Sequence, residues 1–186
     1  VVMEFNRLGY SVDAFELNAR RWVPQSRPRL FIVGVKDPIS GGEIDTSIRP
    51  DRVAWIHADP ELKTHVTPVE KAPALLSSGF TDITEKLADS DPRWWDEKRC
   101  EAFVDSLSSI QRERFEHLRN ANEMVARTAY RRIRAGKPVW EMREDDISGC
   151  LRTARGGSSK QAVVFIGKGK VRMRWMTGLE YARLQG

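Results

Sequence analysis

Cysteine and histidine are scarce in this sequence, which contains 2 cysteines and 3 histidines among 186 residues. Cys100 and Cys150 lie far apart, and no histidine stands at ligand spacing from another, so the pattern excludes a zinc finger and a disulfide framework. Neither thiol has a histidine or a recognisable activating loop beside it, which favours a structural role over a nucleophilic one. We therefore predict no metal site.

Long apolar runs are missing as well. No stretch approaches the about 20 apolar residues that a membrane-spanning helix needs, and residues 1–5 are too short and too acidic for a signal peptide. We expect a globular protein of the cytoplasm, without membrane contact. A first residue other than methionine and a final helix that breaks off at residue 186 lead us to expect a piece of a longer protein.

Charge is distributed unevenly along the chain, whose net charge is +5. Residues 36–110 hold 15 acidic and 9 basic side chains, whereas residues 111–137 and 145–186 each hold 8 basic and 3 acidic ones. Such an asymmetry fits a face that binds a polyanion. Solvated helix faces would give the same counts, and charge alone favours that plainer interpretation.

Hydrophobic spacing predicts helix, strand, loop and strand over the first 35 residues, like the edge of an α/β layer. The helix covers residues 1–8 and stops at Gly9, and a short strand covers residues 10–17. Residues 30–35 form a nearly continuous apolar run, which is typical of a strand that is buried on both faces of a parallel or mixed sheet.

The middle of the chain changes character near residue 96. Residues 36–92 are rich in proline and glycine and predict irregular structure, with Trp94 and Trp95 as anchors of a small core. Apolar spacings of three, four and seven then predict one long helix over about 96–135, or two helices broken near residue 108. That helix would present Arg127, Arg131 and Arg134 on one side.

The closing segment predicts a hairpin and a helix start. Residues 162–166 and 171–176 read as strands joined across residues 167–170, and Thr177 with Glu180 has the spacing of a capping box.

Residues 152–159 combine guanidinium groups, hydroxyls and glycines, a mixture suited to holding nucleic-acid phosphates. A flexible glycine turn explains the same composition equally well. The candidate DNA-binding residues are Arg152, Thr153, Arg155, Gly156, Gly157, Ser158, Ser159, Arg131 and Arg132.

Two stretches together resemble conserved blocks of the DNA cytosine-5 methyltransferases. Residues 18–34, with the motif PQSRPR at 24–29 and an apolar strand after it, resemble the eighth block. Residues 174–186, RWMTGLEYARLQG, resemble the ninth. The interval between them is where the family places its variable target-recognition region, and CLRT at 150–153 with the glycine-serine loop resembles a bacterial and phage subgroup.

The resemblance implies an α/β fold: the end of a Rossmann-like, S-adenosylmethionine-dependent methyltransferase sheet together with an irregular target-recognition domain. Residues 1–35 would end the catalytic domain, residues 36–150 would form the target-recognition region, and residues 151–186 would return to the catalytic domain.

The resemblance also implies a reaction on double-stranded DNA. In this family a cysteine thiolate attacks C6 of a flipped cytosine, a glutamate engages N3, and C5 takes a methyl group from S-adenosylmethionine. The expected catalytic residues are Arg29, directed at O2, Arg27, holding nearby groups or the DNA backbone, and Gln25, shaping the loop. The plainer alternative for these three is a salt-bridged loop end.

Several family features are missing. Pro28 stands where a glutamate is common and Leu179 where an arginine is usual, and no Pro-Cys, Glu-Asn-Val, glycine-rich cofactor loop or tenth block occurs. We therefore expect a C-terminal fragment whose partner is the N-terminal half of the same enzyme, and which alone neither binds S-adenosylmethionine nor methylates DNA. The alternatives are a stand-alone DNA-binding module and a degenerate relic.

Overall fold

The computed structural model describes residues 1–38, 42–152 and 160–186. They divide into two compact units, the first formed by residues 1–21 and 28–75 and the second by residues 22–27 and 76–186. The PQSRPR motif is therefore divided, because residues 24–27 belong to the second unit and residues 28–29 to the first. No helix in the described part of the chain is long and apolar enough to cross a membrane.

The first unit contains the predicted helix and two strands. Its elements are helix α1 (Val2–Arg7), strand β1 (Ser11–Asn18), strand β2 (Pro28–Val35) and the short helix α2 (Asp51–Ala54). Gly9 follows α1 with a φ of +87°, a conformation that costs glycine little and ends the helix. The strands pair antiparallel from Ser11 opposite Val35 to Asn18 opposite Pro28.

Strand β2 differs from its prediction in burial. Leu30, Phe31 and Ile32 are 56%, 43% and 41% exposed, so the expectation of a strand buried on both faces is wrong for this chain. The reason is that the described residues give β2 one neighbouring strand, β1, in a two-stranded sheet. Phe31 stacks on Phe15 of β1 with ring centroids 5.5 Å apart, and this contact covers part of one face.

A buried ion pair ties the irregular residues after β2 to strand β1. Arg49 and Asp13 are 1% and 0% exposed, and the Arg49 guanidinium donates two hydrogen bonds to the Asp13 carboxylate at 3.1 and 2.6 Å. The backbone N–H of Thr67 donates a third at 2.8 Å. Burial opposes ionisation of Asp13, but the hydrogen bonds from Arg49 and Thr67 outweigh it and lower the pKa of Asp13 to about 2.

This ion pair should make the protein sensitive to acid. A folded-state pKa below the unfolded value of about 3.9 contributes stability that is present above that value and is lost as the pH falls towards 2. Asp13→Asn should remove this dependence, and it should lower the free energy of unfolding at neutral pH by about 3–5 kcal/mol because the Arg49 charge stays buried without its partner. Urea unfolding between about pH 7 and pH 2 measures both effects.

The control for this prediction is Asp51→Asn, which changes an exposed carboxylate of the same unit. It should keep the acid sensitivity of the unchanged protein. If the Asp13→Asn protein lost stability with falling pH as steeply as the unchanged protein, Asp13 would not be the source of the acid sensitivity.

The second unit carries the larger sheet. Its helices are α3 (Glu97–Asp105), α4 (Ser109–Arg119) and α5 (Gly178–Arg183), and its strands are β3 (Val125–Arg134), β4 (Lys137–Met142), β5 (Ala162–Gly167) and β6 (Lys170–Trp175). The strand order is β4-β3-β5-β6 and every pairing is antiparallel. Both compact units thus mix helices with antiparallel sheet.

The prediction of helix over about 96–135 is correct for two helices and wrong beyond them. Asp96 and Ser108 cap α3 and α4, as the predicted break near residue 108 requires. Residues 125–134 form strand β3 instead. Ala135 and Gly136 both have positive φ, 48° and 76°, which is the two-residue turn that joins hairpin strands, so β3 turns directly into β4.

This change of element also rearranges the arginines. Side chains alternate between the two faces of a strand, so Arg131 and Arg132 point to opposite faces of β3. Arg127, Arg131 and Arg134 therefore do not share a helical side.

The closing hairpin and helix are present as predicted. Strands β5 and β6 join at Lys168 and Gly169, both with positive φ, at 53° and 73°. Thr177 and Glu180 form the reciprocal capping box of α5.

The adjacent tryptophans anchor cores, as predicted. Trp95 lies 5.1 Å from Trp175 and 5.8 Å from Trp140 between ring centroids, and Trp94 meets Phe165 edge-on at 5.4 Å. The cluster around Trp95 packs on the buried faces of β3, β5 and β6.

Candidate functional site

The Pro-Gln part of the motif is built into the second unit by backbone pairing. The Ser26 N–H donates to the Ser148 carbonyl at 2.9 Å, and the Ser148 N–H donates to the Pro24 carbonyl at 2.8 Å. This parallel pairing aligns Gln25 with Ser148. The motif loop is therefore fixed on both sides of the glutamine by backbone hydrogen bonds.

Gln25 uses both ends of its amide inside this unit. Its Nε2 donates to the Leu184 carbonyl at 2.7 Å, and its Oε1 accepts from the Leu151 N–H at 3.1 Å, while the side chain is 3% exposed. One buried side chain thus connects the segment that resembles the eighth block with the end of α5 in the segment that resembles the ninth. This contact gives Gln25 a positioning role.

Replacing Gln25 with alanine should weaken this connection measurably. The change leaves the Leu151 N–H and the Leu184 carbonyl buried without their partner, and each such loss costs about 1–3 kcal/mol. We expect a free energy of unfolding lower by that amount or more in urea titration. Gln185→Ala, which alters an exposed amide, should have little effect, and equal stability of both variants would contradict the role assigned to Gln25.

Arg27 holds the segment that follows Ser148. Its Nη1 donates to the Leu151 carbonyl at 3.1 Å and lies 3.4 Å from the Cys150 sulfur. The side chain is half-buried. Arg27 thus connects the motif loop to the residues that lead into the glycine-serine loop.

Arg29 lies at the start of β2 in the first unit and is exposed to solvent. Its Nη1 donates to the Pro28 carbonyl at 2.8 Å. A guanidinium carries five N–H donors in a planar fork.

An arginine pocket of about 220 Å³ lies in the second unit. We use this name for the cavity between β3, the residue after β4 and the segment around residue 150. Its lining includes Arg131, Arg132, Arg143, Arg152, Tyr130 and Cys150. Three of the predicted DNA-binding residues, Arg131, Arg132 and Arg152, contribute to this lining. The helix predicted to carry two of them is a strand, which directs the side chains of Arg131 and Arg132 to opposite faces.

Arg143 and Tyr130 were missed from the sequence. Arg143 follows β4, and its backbone N–H donates to the Thr128 carbonyl of β3 at 2.9 Å, which places it beside Tyr130. No spacing in the sequence joins residues 130 and 143. The tight turn at Ala135 and Gly136 is the signal that could have paired them, because it makes β3 and β4 neighbours.

The other predicted DNA-binding residues, Thr153, Arg155, Gly156, Gly157, Ser158 and Ser159, lie outside the described residues. Among the described ones, no group of three or more acidic, cysteine or histidine side chains is placed to hold a metal ion.

A second buried ion pair lies within the segment that resembles the ninth block. Arg174 and Glu180 are both 0% exposed, and the Arg174 guanidinium donates to the Glu180 carboxylate at 2.8 and 2.5 Å. The carboxylate also accepts from the backbone N–H groups of Thr177 and Glu85, each at 2.9 Å. One carboxylate therefore caps α5, as the sequence predicted, and also pairs with Arg174 and fixes the chain at residue 85, two contacts that the sequence pattern did not reveal.

Comparison with known proteins gives the family. The sequence model of the family described as C-5 cytosine-specific DNA methylase matches residues 1–186. Searches of curated proteins and of solved structures found no match. The match covers the motif loop, the arginine pocket and the helix end that Gln25 connects, and the chain belongs to the C-5 cytosine-specific DNA methylase family.

Proposed function

We propose that this chain is the C-terminal part of a DNA cytosine-5 methyltransferase and that Arg29 acts on O2 of a cytosine flipped out of duplex DNA. The observation that carries the proposal is the exposed guanidinium of Arg29, which directly follows a motif segment held by Gln25 and Arg27. Membership of the family supports the reaction class.

The chemistry explains why a guanidinium is needed at this position. When a thiolate adds to C6 of the base, negative charge moves towards N3 and O2 of the ring. A fixed cation at O2 stabilises that state more than the neutral ground state, which is the condition for catalysis. Arg29 meets this condition without transferring a proton.

The remaining groups come from the N-terminal half of the enzyme. The nucleophilic cysteine and the acid that engages N3 belong to that half, which also extends the sheet of the first unit into a Rossmann-like one. The exposed apolar side chains of Leu30, Phe31 and Ile32 support this, because a further layer would remove them from water. Residues 36–150 form the target-recognition region.

S-adenosylmethionine, the methyl donor that the family generally uses, does not fit the described cavity. Its sulfonium carries a positive charge, and the lining of the arginine pocket includes arginines but no acidic residue among the described ones, so the pocket would repel it. We assign cofactor binding to the N-terminal half as well.

Duplex DNA meets the second unit. Arg131, Arg132 and Arg152 contact phosphates there, together with the glycine-serine loop at 153–159. Such contacts make binding fall steeply as the salt concentration rises.

Methyl transfer by the chain alone and by the complete enzyme tests the proposal. With labelled S-adenosylmethionine and duplex DNA, the 186-residue chain should bind DNA but incorporate no label, and the complete enzyme should incorporate it at cytosine C5. Label transferred by the chain alone would contradict the assignment of the nucleophile to the other half.

A stand-alone DNA-binding module is the second candidate, and one observation favours it: the arginine pocket lies entirely within one compact unit. If the chain is such a module, its affinity for duplex DNA should be the same with and without the N-terminal half. The methyltransferase proposal expects tighter binding when both halves are present.

A further inference from the structure

The β5–β6 hairpin borders a cavity of about 660 Å³ that the proposed function does not use. Residues 84–87 form the opposite wall, and both walls belong to the second unit. We call this space the hairpin cavity. We propose that it binds an aliphatic carboxylate of the medium-chain fatty-acid type, with the alkyl chain inside and the carboxylate at Lys86 and Lys170. The inference does not depend on the proposed catalytic role.

Strand pairing places part of the lining on one face of the hairpin. Phe165 of β5 is opposite Arg172 of β6, and Lys170 is opposite Gly167, which is two residues from Phe165. Residues that are directly opposite each other, and residues two apart in one strand, share a face of the sheet. Phe165, Lys170 and Arg172 therefore project from the same side, which puts an ammonium group beside an apolar surface.

The apolar lining favours an alkyl chain over a nucleobase. Leu87 is half-buried, and Met124 is 41% exposed. The aromatic rings are already engaged, because Phe165 meets Trp94 edge-on at 5.4 Å and the Arg172 guanidinium lies over the Trp94 ring at 4.0 Å from its centroid. A nucleobase stacks on a free ring face, whereas an alkyl chain packs against ring edges and adaptable side chains such as methionine.

The charges of the lining favour an anion. Glu85 is the one acidic residue among the described lining residues, and it pairs with Arg93 at 3.3 Å. Lys86 and Lys170 also contribute to the lining, and no ion pair among the described residues includes either of them. A carboxylate can accept charge-assisted hydrogen bonds from ammonium groups, so these two lysines provide its binding partners.

The wall opposite the hairpin is held in place before any ligand binds. The Arg172 guanidinium donates to the carboxylate of Asp89 and, at 2.7 Å, to its carbonyl. The Trp94 Nε1–H donates to the Ala88 carbonyl at 2.9 Å. Because these contacts already order the wall, less conformational entropy is lost when a ligand enters.

The size of the hairpin cavity suits one small molecule. Its volume of about 660 Å³ lies within the about 300–1,000 Å³ that is usual for such sites. An alkyl chain of about 8–12 carbons is of the size that sites in this range take up. Each methylene group that leaves water strengthens binding, so the affinity should rise with chain length until the cavity is full.

Methionine methyl groups report binding directly, because Met124 lines the cavity and Met3 lies in the first unit. The full chain, labelled with ¹³C at its methionine methyls, is titrated with octanoate, decanoate and dodecanoate below their micelle concentrations. Met124→Leu assigns the Met124 signal. We expect this signal to shift while that of Met3 stays, with an affinity that rises about two- to fourfold for each added methylene.

Two further ligands of the same chain length test the charge. Decanol is neutral and decylammonium is a cation, so decanoate should bind about tenfold or more tightly than decylammonium, with decanol between them. Lys170→Gln should weaken the binding of decanoate about three- to tenfold and leave that of decanol unchanged. Lys98→Gln, at an exposed lysine of α3 outside the lining, should change neither.

Each contrary result overturns a different part of the proposal. A Met124 signal that does not shift with decanoate would overturn the cavity as a binding site, and a shift with single-stranded DNA alone would assign it to nucleic acid. Equal affinities for decanoate and decylammonium would overturn the anion and leave an apolar surface of the kind that partner proteins cover. Equal losses in Lys170→Gln and Lys98→Gln would overturn the role of Lys170. None of these measurements involves methyl transfer, so the proposed catalytic function is tested separately.

Discussion

Replacing Arg29 with alanine should lower the rate of cytosine methylation by the complete enzyme by about 100- to 1,000-fold, while duplex binding changes little. The reason is that the proposed contact with O2 gains its strength as negative charge develops on the base. A contact made only in that state contributes to the rate and not to the affinity for the ground state. Single-turnover methylation and equilibrium duplex binding measure the two quantities separately.

Two further variants sharpen this result. Arg29→Lys keeps the charge but loses the planar fork, so its methylation rate should lie between those of the original protein and the alanine variant. Arg52→Ala removes an exposed arginine of the same unit that pairs with Glu16, and it should leave methylation near the original rate. Equal losses of rate and of binding in Arg29→Ala would make Arg29 an anchor for DNA.

Glu180→Gln should cost the protein about 3–5 kcal/mol of unfolding free energy, because it leaves the Arg174 guanidinium buried without a compensating charge. The side chains of both residues are 0% exposed, so water cannot take over the lost interaction. Urea unfolding of the full chain measures the change. Glu116→Gln, in an exposed pair on α4 with 46% of its side chain accessible, should cost less than about 1 kcal/mol.

A double replacement separates charge from packing at this position. Arg174→Met with Glu180→Leu removes both charges and keeps apolar volume, a change that is often close to neutral for buried pairs. It should recover part of the loss, but not all of it, because the N–H groups of Thr177 and Glu85 still lose their acceptor. If the double variant were no more stable than Glu180→Gln, the unpaired buried charge would not be the cause of the lost stability.

Local signals predicted the elements whose conformation is decided by adjacent residues. Gly9 after α1, the Lys168–Gly169 turn and the Thr177–Glu180 capping box all act within one turn of chain, and all are present. Strand β3 is different. Its apolar residues also fit a helical spacing, and its conformation depends on pairing with β5, as in Thr128 opposite Val163, which lies far ahead in the sequence.

In the candidate site, too, some features follow from adjacent residues and others depend on distant contacts. The motif selected Gln25, Arg27 and Arg29 as candidates because they stand within five residues in a recognisable order. The partners of Gln25, Leu151 and Leu184, belong to segments more than a hundred residues away. Periodicity contains no information on such contacts, and the exposure of β2 likewise depends on which neighbours the sheet has.

Residues 22–27 belong to the second unit although the residues on either side of them belong to the first. This division affects how segments can be exchanged between members of the family. Grafting residues 76–186 into another scaffold would transfer Leu151 and Leu184 without Gln25, which bonds to both. The recipient must then offer a glutamine with the same backbone pairing as Gln25 makes with Ser148. A graft is therefore compatible only with scaffolds whose own motif loop can form this backbone pairing. For other scaffolds, residues 22–27 should be exchanged together with residues 76–186.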